Sequence, residues 1–295
     1  MTLVRLAEQD YRQASFLDAR LLTPTTQSRT LPWADLAAPS AALPESADFI
    51  FHIGHVGSTL LARLMGAHSN ILALREPMVL RTFAQTGRHD LAPVLKLLSR
   101  TFRPGQRALV KATSFVSEIA PQIMARAYGP KAIFMFVPAE IYLATILGGP
   151  NSRQEARMLG VARYNRLRAR KPIPQPASEG ELIAMSWACE MTALQAVTQS
   201  ERILWLDFDR FLADPANALG QCFRHIGVDA TDAEIATILA GPDMRTYSKA
   251  QEYDYDAKLR QDVLAQARAE HGAEIARGMA WLERNGFGEG WLARA

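Results

Sequence analysis

An apolar run, Phe49-Ile50-Phe51-His52-Ile53, breaks at Gly54-His55-Val56-Gly57 and resumes at once as Ser58-Thr59-Leu60-Leu61-Ala62-Arg63-Leu64-Met65. The first part has the length and character of a buried strand. The glycines permit a tight turn, and the last part carries apolar positions at helical spacing. Strand, loop and helix in direct succession constrain this chain more than any other stretch. A glycine loop that opens a helix leaves backbone N–H groups without partners, and the helix dipole adds partial positive charge there. Such a loop binds phosphate or sulfate. The alternative is that the glycines serve only a close approach of strand and helix. A Walker A loop is excluded, because it needs Gly, four residues, then Gly-Lys-Ser/Thr. Gly54 and Gly57 are too close for that, and no lysine precedes Ser58.

Downstream, apolar runs at Phe49–Ile53, Ile71–Leu74, Arg107–Lys111, Ala132–Val137 and Ile203–Phe208 alternate with helical patterns. The patterns lie at Ser58–Ala67, Leu91–Phe102, Phe115–Tyr128 and Glu181–Ser200. The alternation predicts an α/β fold with a mostly parallel central sheet and helices on both faces. In such sheets ligands gather at the carboxyl ends of the strands. Gly54, Glu76, Lys111 and Asp209 all fall at or just beyond predicted strand ends, so they are expected to face one crevice.

Residues 1–47 read as an N-terminal extension packed on a single domain of residues 48–295. The extension has one predicted helix, near Asp10 to Leu22, and a Pro/Ser/Thr/Ala-rich connection that Trp33 would anchor. At about 148–180 the pattern changes to an insert. Gly148-Gly149-Pro150 breaks the chain, and Arg153, Arg157, Arg163, Arg166, Arg168, Arg170 and Lys171 follow with only Glu155 opposing them. Pro172, Pro174 and Pro176 then end the run. This predicts a basic helix and an extended linker. The helix is either a lid whose arginines reach an anion or a solvated surface helix. The last third is helical. Thr231 and Glu234 have capping-box spacing, a long helix is expected from about Asp256 to Arg284, and Tyr247-Ser248-Lys249 lies on the loop before it. Trp281 and Trp291 read as packing residues.

Composition narrows the function classes. With 295 residues and 48% hydrophobic content, the chain can build one large core or two modest ones. A formal charge of +3 suits an anionic small ligand and gives no case for nucleic acid. Cys189 and Cys222 sit in apolar, helix-like segments, as buried thiols in a reducing compartment would. The histidines His52, His68, His89, His225 and His271 show no ligand spacing, and no metal is implied. His52 alternates with apolar strand residues and reads as a satisfied core histidine. No secretory segment follows Met1 and no apolar run reaches membrane-spanning length, so a cytoplasmic protein is expected.

Gly54-His55-Val56-Gly57-Ser58-Thr59-Leu60-Leu61, with Leu74-Arg75-Glu76-Pro77 shortly after, resembles the sulfate-donor loop of the sulfotransferases. Phe208-Asp209-Arg210-Phe211-Leu212-Ala213-Asp214-Pro215 is similar to the family's Tyr-Glu-Asp-Leu-x-x-Asp-Pro segment, with Asp214 capping the helix at Pro215. The resemblance spans about residues 49–228. It implies a P-loop-type three-layer sandwich and 3'-phosphoadenosine 5'-phosphosulfate (PAPS) as sulfuryl donor. The acceptor would be a hydroxyl or amine of a small molecule or glycan.

By the same resemblance, Gly54, His55, Val56, Gly57, Ser58 and Thr59 would hold the 5'-phosphosulfate. Lys111 would face the bridging oxygen of the donor, and Glu76 would be the general base. The position of the cytosolic branch's catalytic histidine holds Thr113, which favours Glu76. Two alternatives stand beside these roles: an ordinary Arg75–Glu76 surface pair, and a strand-end lysine reaching solvent. His55 falls where the family has Lys or Arg. At the 3'-phosphate site Phe136 replaces an arginine and Ala144 a serine, with Thr145 next to it. Either the basic run beginning at Arg153 compensates, or PAPS is not the donor. Two other readings remain: a non-catalytic or regulatory P-loop-fold protein that binds a phosphate-containing ligand, and an atypical small-molecule kinase. The missing loop lysine argues against the kinase.

Overall fold

The structure is a computed structural model that describes residues 1–87, 90–244 and 257–288. His89, Tyr247-Ser248-Lys249 and Trp291 lie outside the described residues. Seven strands are present among those described. β1 (Thr2–Val4) and β2 (Ser28–Thr30) form a small antiparallel hairpin at the N-terminus. β3 (Asp48–His52), β4 (Ile71–Arg75), β5 (Arg107–Lys111), β6 (Ala132–Phe136) and β7 (Ile203–Asp207) form one sheet in the order β4-β5-β3-β6-β7. Every pairing in it is parallel. Phe49, Ile50, Phe51, Phe134 and Trp187 are all buried, as a sheet covered on both faces requires. The α/β expectation holds, and each predicted strand lies within one residue of its place.

The strand order adds what spacing could not show. β3 is central. From it the chain crosses to edge strand β4, returns to β5 beside β3, and only then passes to β6 on the other flank. The direction of winding therefore reverses at the carboxyl end of β3, between β5 and β6, and the glycine loop sits at that point. Open parallel sheets bind their ligands at such a reversal.

Helices depart from expectation where tertiary contacts intervene. The N-terminal helix spans only Glu8–Gln13, and the expected second half becomes a short turn at Ala19–Leu21. The carbonyls of Tyr11, Arg12 and Ala14 are taken by the Arg75 guanidinium, which ends the helix there. Phe115–Tyr128 resolves into a 3-10 stretch, Ser114–Ile119, and a helix, Ala120–Met124, with Pro121 in its first turn. The helices Met78–Thr86 and Ala139–Leu147 were not foreseen. Other features fall as expected. Thr231 and Glu234 form the capping box and Asp214 accepts from the Asn217 amide, whereas the final span Ala257–Arg284 is two helices joined across a kink at His271. Trp33 packs edge-on against Phe83, and the buried Trp281 stacks on Phe287. Both cysteines are buried free thiols, and burial pushes each up to about 12, so neither is a nucleophile at neutral pH. Among the described residues, no helix is long and apolar enough to cross a membrane.

Candidate functional site

The loop is built from β3 outward. The His52 ring is buried, and its Nδ1 accepts the Gly54 N–H at 3.0 Å. That leaves Nε2 as the protonated nitrogen, which donates to the Ala112 carbonyl at 2.8 Å. His52 is thus the satisfied core histidine that the strand pattern predicts. It also ties the loop's first residue to the residue just past β5. Gly54, His55 and Gly57 all have left-handed backbone, with φ of 89°, 55° and 65°. His55 is not a glycine, so its conformation costs energy that the surroundings must offset. The helix Pro150–Arg170 supplies part of that hold. Its Ser152 Oγ lies 3.4 Å from His55 Nδ1, and its Glu155 carboxylate lies 3.4 Å from His55 Nε2.

Gly57 could be no other residue. It has positive φ, and a Cβ there would sit 2.0 Å from the Phe208 ring. The helix Ser58–Ala67 begins at this glycine without any side-chain cap. Among the described residues, the amides of Val56, Gly57, Ser58 and Thr59 have no hydrogen-bond acceptor, nor do the Ser58 and Thr59 hydroxyls have a partner. Ser58 and Thr59 are nevertheless buried. Four consecutive donors at a helix start, just past the end of a central strand, are an arrangement able to bind an anion.

Glu76 and Lys111 meet beside this loop. They end adjacent strands, with Arg75 in register opposite Lys111. The Lys111 ammonium donates to the Glu76 carboxylate, and the Glu76 amide donates to the Lys111 carbonyl at 2.7 Å. Lys111 is only 2% exposed, so it is not a strand-end lysine reaching solvent. Glu76 is the second non-glycine residue with left-handed backbone, at φ 51°. Arg75 is not its surface partner either. Arg75 is buried, points to the opposite side of the strand, and holds carbonyls of the N-terminal extension. Burial lowers its pKa to about 10, which still leaves it charged at neutral pH.

The remaining candidates are placed as follows. Thr145 lies in the helix after β6, and its hydroxyl is buried without a partner among the described residues. Arg153 is engaged by Glu179 at 2.7 Å, and Arg157 shares that carboxylate. Further along the insert, Arg163 is buried against Glu190 at 3.0 Å, Arg166 bonds both Glu118 and Glu190, and Arg170 bonds Glu118. Burial works against the Arg166 charge, but Glu190 and Glu118 outweigh it and raise its pKa. Five of the seven basic residues that sequence leaves unopposed, Arg153, Arg157, Arg163, Arg166 and Arg170, are therefore opposed in space by acids from other elements. The insert meets the loop through Ser152 and through Glu155, its lone acid between Pro150 and Lys171.

Sequence reasoning missed Phe208 as the lid on Gly57 and the N-terminal residues beside Glu76. The Phe16 ring centroid lies 5.9 Å from the Lys111 ammonium and 4.4 Å from the Arg20 guanidinium. Nothing in the local pattern of residues 16–20 signals this. Among the described residues, no cluster of His, Cys, Asp or Glu is placed to hold a metal ion.

No family model matches the chain, and no curated protein does. Among solved structures, it is similar to a sulfotransferase domain from the curacin biosynthetic pathway. The TM-score is 0.48 at 15% identity, over 82% of this chain and 99% of that one. It is also similar to a sulfotransferase from Alicyclobacillus acidocaldarius, with TM-score 0.41 at 16% identity over 82% of this chain and 96% of that one. A mouse sulfotransferase complexed with PAP has TM-score 0.41 at 16% identity, over 70% of this chain and 67% of that one.

Proposed function

We propose that this chain is a sulfotransferase-like enzyme that moves a sulfuryl group from PAPS to a hydroxyl or amine of a small-molecule or glycan acceptor. One observation carries the reading. A loop with unpartnered amides sits where the sheet's winding reverses, and a pair made of buried Lys111 and half-buried Glu76 ends the strands beside it. The chain's residues fit an anionic donor. The amides from Val56 to Thr59 and the Ser58 and Thr59 hydroxyls would hold its phosphosulfate end, and the buried Thr145 hydroxyl lacks a partner that a ligand could supply. PAPS, when bound, supplies an activated sulfuryl group and a stable bisphosphate leaving group.

The protein's tasks in such a transfer are to position and to balance charge. Lys111 keeps a positive charge at the strand ends, where charge grows on the leaving oxygen. Glu76 takes the proton from the acceptor. The Glu76 carboxylate is released for that proton as Lys111 turns toward the donor. Buried Lys111 keeps this exchange out of water.

The test is thermal stability in the presence of 3'-phosphoadenosine 5'-phosphate, ATP or sulfate. A native-state ligand raises stability by mass action. The reading expects selective stabilisation by the first. Selective response to ATP would favour the kinase, and no response to any of the three would overturn the donor site. The second reading, a non-catalytic phosphate binder, draws on Arg153 being held by Glu179 and on Phe136 standing in place of a cation. It expects stabilisation by 3'-phosphoadenosine 5'-phosphate with no release of that product from PAPS over a panel of phenols, alcohols and amines.

A further inference from the structure

The N-terminal segment reaches the reacting pair through three separate contacts. Leu17 donates its N–H to the Arg75 carbonyl at 2.7 Å, and its own carbonyl accepts the Met78 N–H at 3.1 Å. The backbone of one residue therefore brackets Glu76 and Pro77 on both sides. Second, the buried Arg75 guanidinium binds the carbonyls of Tyr11 and Arg12 at 2.8 and 2.9 Å, and that of Ala14 through Nε at 2.8 Å. Third, the Phe16 ring covers Lys111, and Arg20 lies near enough to feel the charge of Glu76. A left-handed non-glycine backbone such as that of Glu76 persists only where its surroundings over-determine it.

We infer that the segment from Tyr11 to Arg20 is a fixed wall of the catalytic centre, and that Leu17 and Arg75 are positioning residues for Glu76 and Lys111. The inference rests on the reading of Glu76 and Lys111 as the reacting groups. The bracket supplies what an edge strand lacks. β4 has a sheet neighbour only at β5, so the turn after it has no strand on its outer side. The extension takes that place for one residue, pairing with the chain before and after Glu76. The Arg75 fork fastens the segment three to six residues upstream, where it can neither slide nor lift without breaking several charge-assisted hydrogen bonds.

The experiment follows the reactivity of Lys111 toward an amine-acetylating reagent, read by mass spectrometry in the full chain. The buried Cys222 thiol serves as a marker of general unfolding. The variants are Arg75→Ala, which removes the fork, Arg75→Lys, which keeps the charge but not the fork, and Leu17→Pro, which removes the bracketing N–H. Arg75→Ala and Leu17→Pro are expected to raise Lys111 acetylation about tenfold, as local opening without global unfolding does. Cys222 labelling stays at the wild-type rate, and Arg75→Lys falls between. Turnover of PAPS with a phenol acceptor falls with kcat, while the thermal response to 3'-phosphoadenosine 5'-phosphate is retained. If one variant fails to fold, the other carries the test, because each breaks a different contact. Lys111 that stays as protected as in the wild type overturns the inference, and so does Lys111 labelling that rises only together with Cys222. The labelling needs neither donor nor acceptor. A wild-type protein that ignores 3'-phosphoadenosine 5'-phosphate would overturn the proposed function without deciding the role of the segment.

Discussion

Glu76 and Lys111 hold each other twice: the lysine side chain donates to the glutamate carboxylate, and the glutamate amide donates to the lysine carbonyl. They are 35 residues apart in sequence and end adjacent parallel strands. The backbone link joins the two strand ends independently of the side-chain link.

Replacing Glu76 by Gln removes the proposed proton acceptor and keeps the shape. Turnover is expected to fall by at least about 100-fold, the lower range for a positioned general base. The thermal response to 3'-phosphoadenosine 5'-phosphate is expected to survive, because the loop amides are untouched. Turnover of PAPS at the wild-type rate would remove Glu76 from the mechanism.

Gly57→Ala tests the loop's geometry. The added methyl meets Phe208 in a backbone region that side chains seldom adopt. Strain and overpacking together should cost about 2–4 kcal/mol in urea denaturation. The loop would shift away from Phe208, so any stabilisation by 3'-phosphoadenosine 5'-phosphate should vanish with it.

The two halves of the basic helix should respond differently to mutation. Glu190→Ala leaves Arg163, only 4% exposed, without its carboxylate. Breaking a buried pair in this way costs about 3–5 kcal/mol. Arg157→Ala removes a guanidinium that is 61% exposed, and should cost less than about 1 kcal/mol. Equal losses in chemical denaturation would show that the inner pair is not buried in solution.

Stability should decline on mild acidification, in part through His225. Burial holds this ring below its usual pKa, although the carbonyls of Ala132 and Arg202 accept from it and oppose that shift. The folded state therefore binds fewer protons than the unfolded state below about pH 6.5. Its contribution is complete above the unfolded value and is lost as pH falls through the folded one. His225→Gln keeps N–H donors for the two carbonyls and cannot titrate. Denaturation midpoints taken between about pH 8 and about pH 5.5 should fall less steeply in that variant. Parallel slopes would exclude His225 as a source.

Some of this was legible in residue order because the physics involved is local. Alternating apolar runs and helical periods revealed five strands, and two glycines just before a helix start revealed the loop. Thr231 with Glu234, and Asp214 before Pro215, revealed helix starts because a cap acts over three residues. The fate of the arginines was not legible. Between Pro150 and Lys171 they face one acid in sequence, yet Glu118, Glu179 and Glu190 reach them from other elements.

What residue order alone determined is the strand–loop–helix unit at residues 48–67 and the α/β class, since both follow from hydrophobic period and backbone preference. Only the tertiary structure decided that this loop lies at the reversal of the sheet, that Glu76 meets Lys111, and that Leu17 brackets their turn. Strand order and contacts across tens of residues depend on which surfaces bury each other, and that is a property of the packed chain and of no single stretch of it.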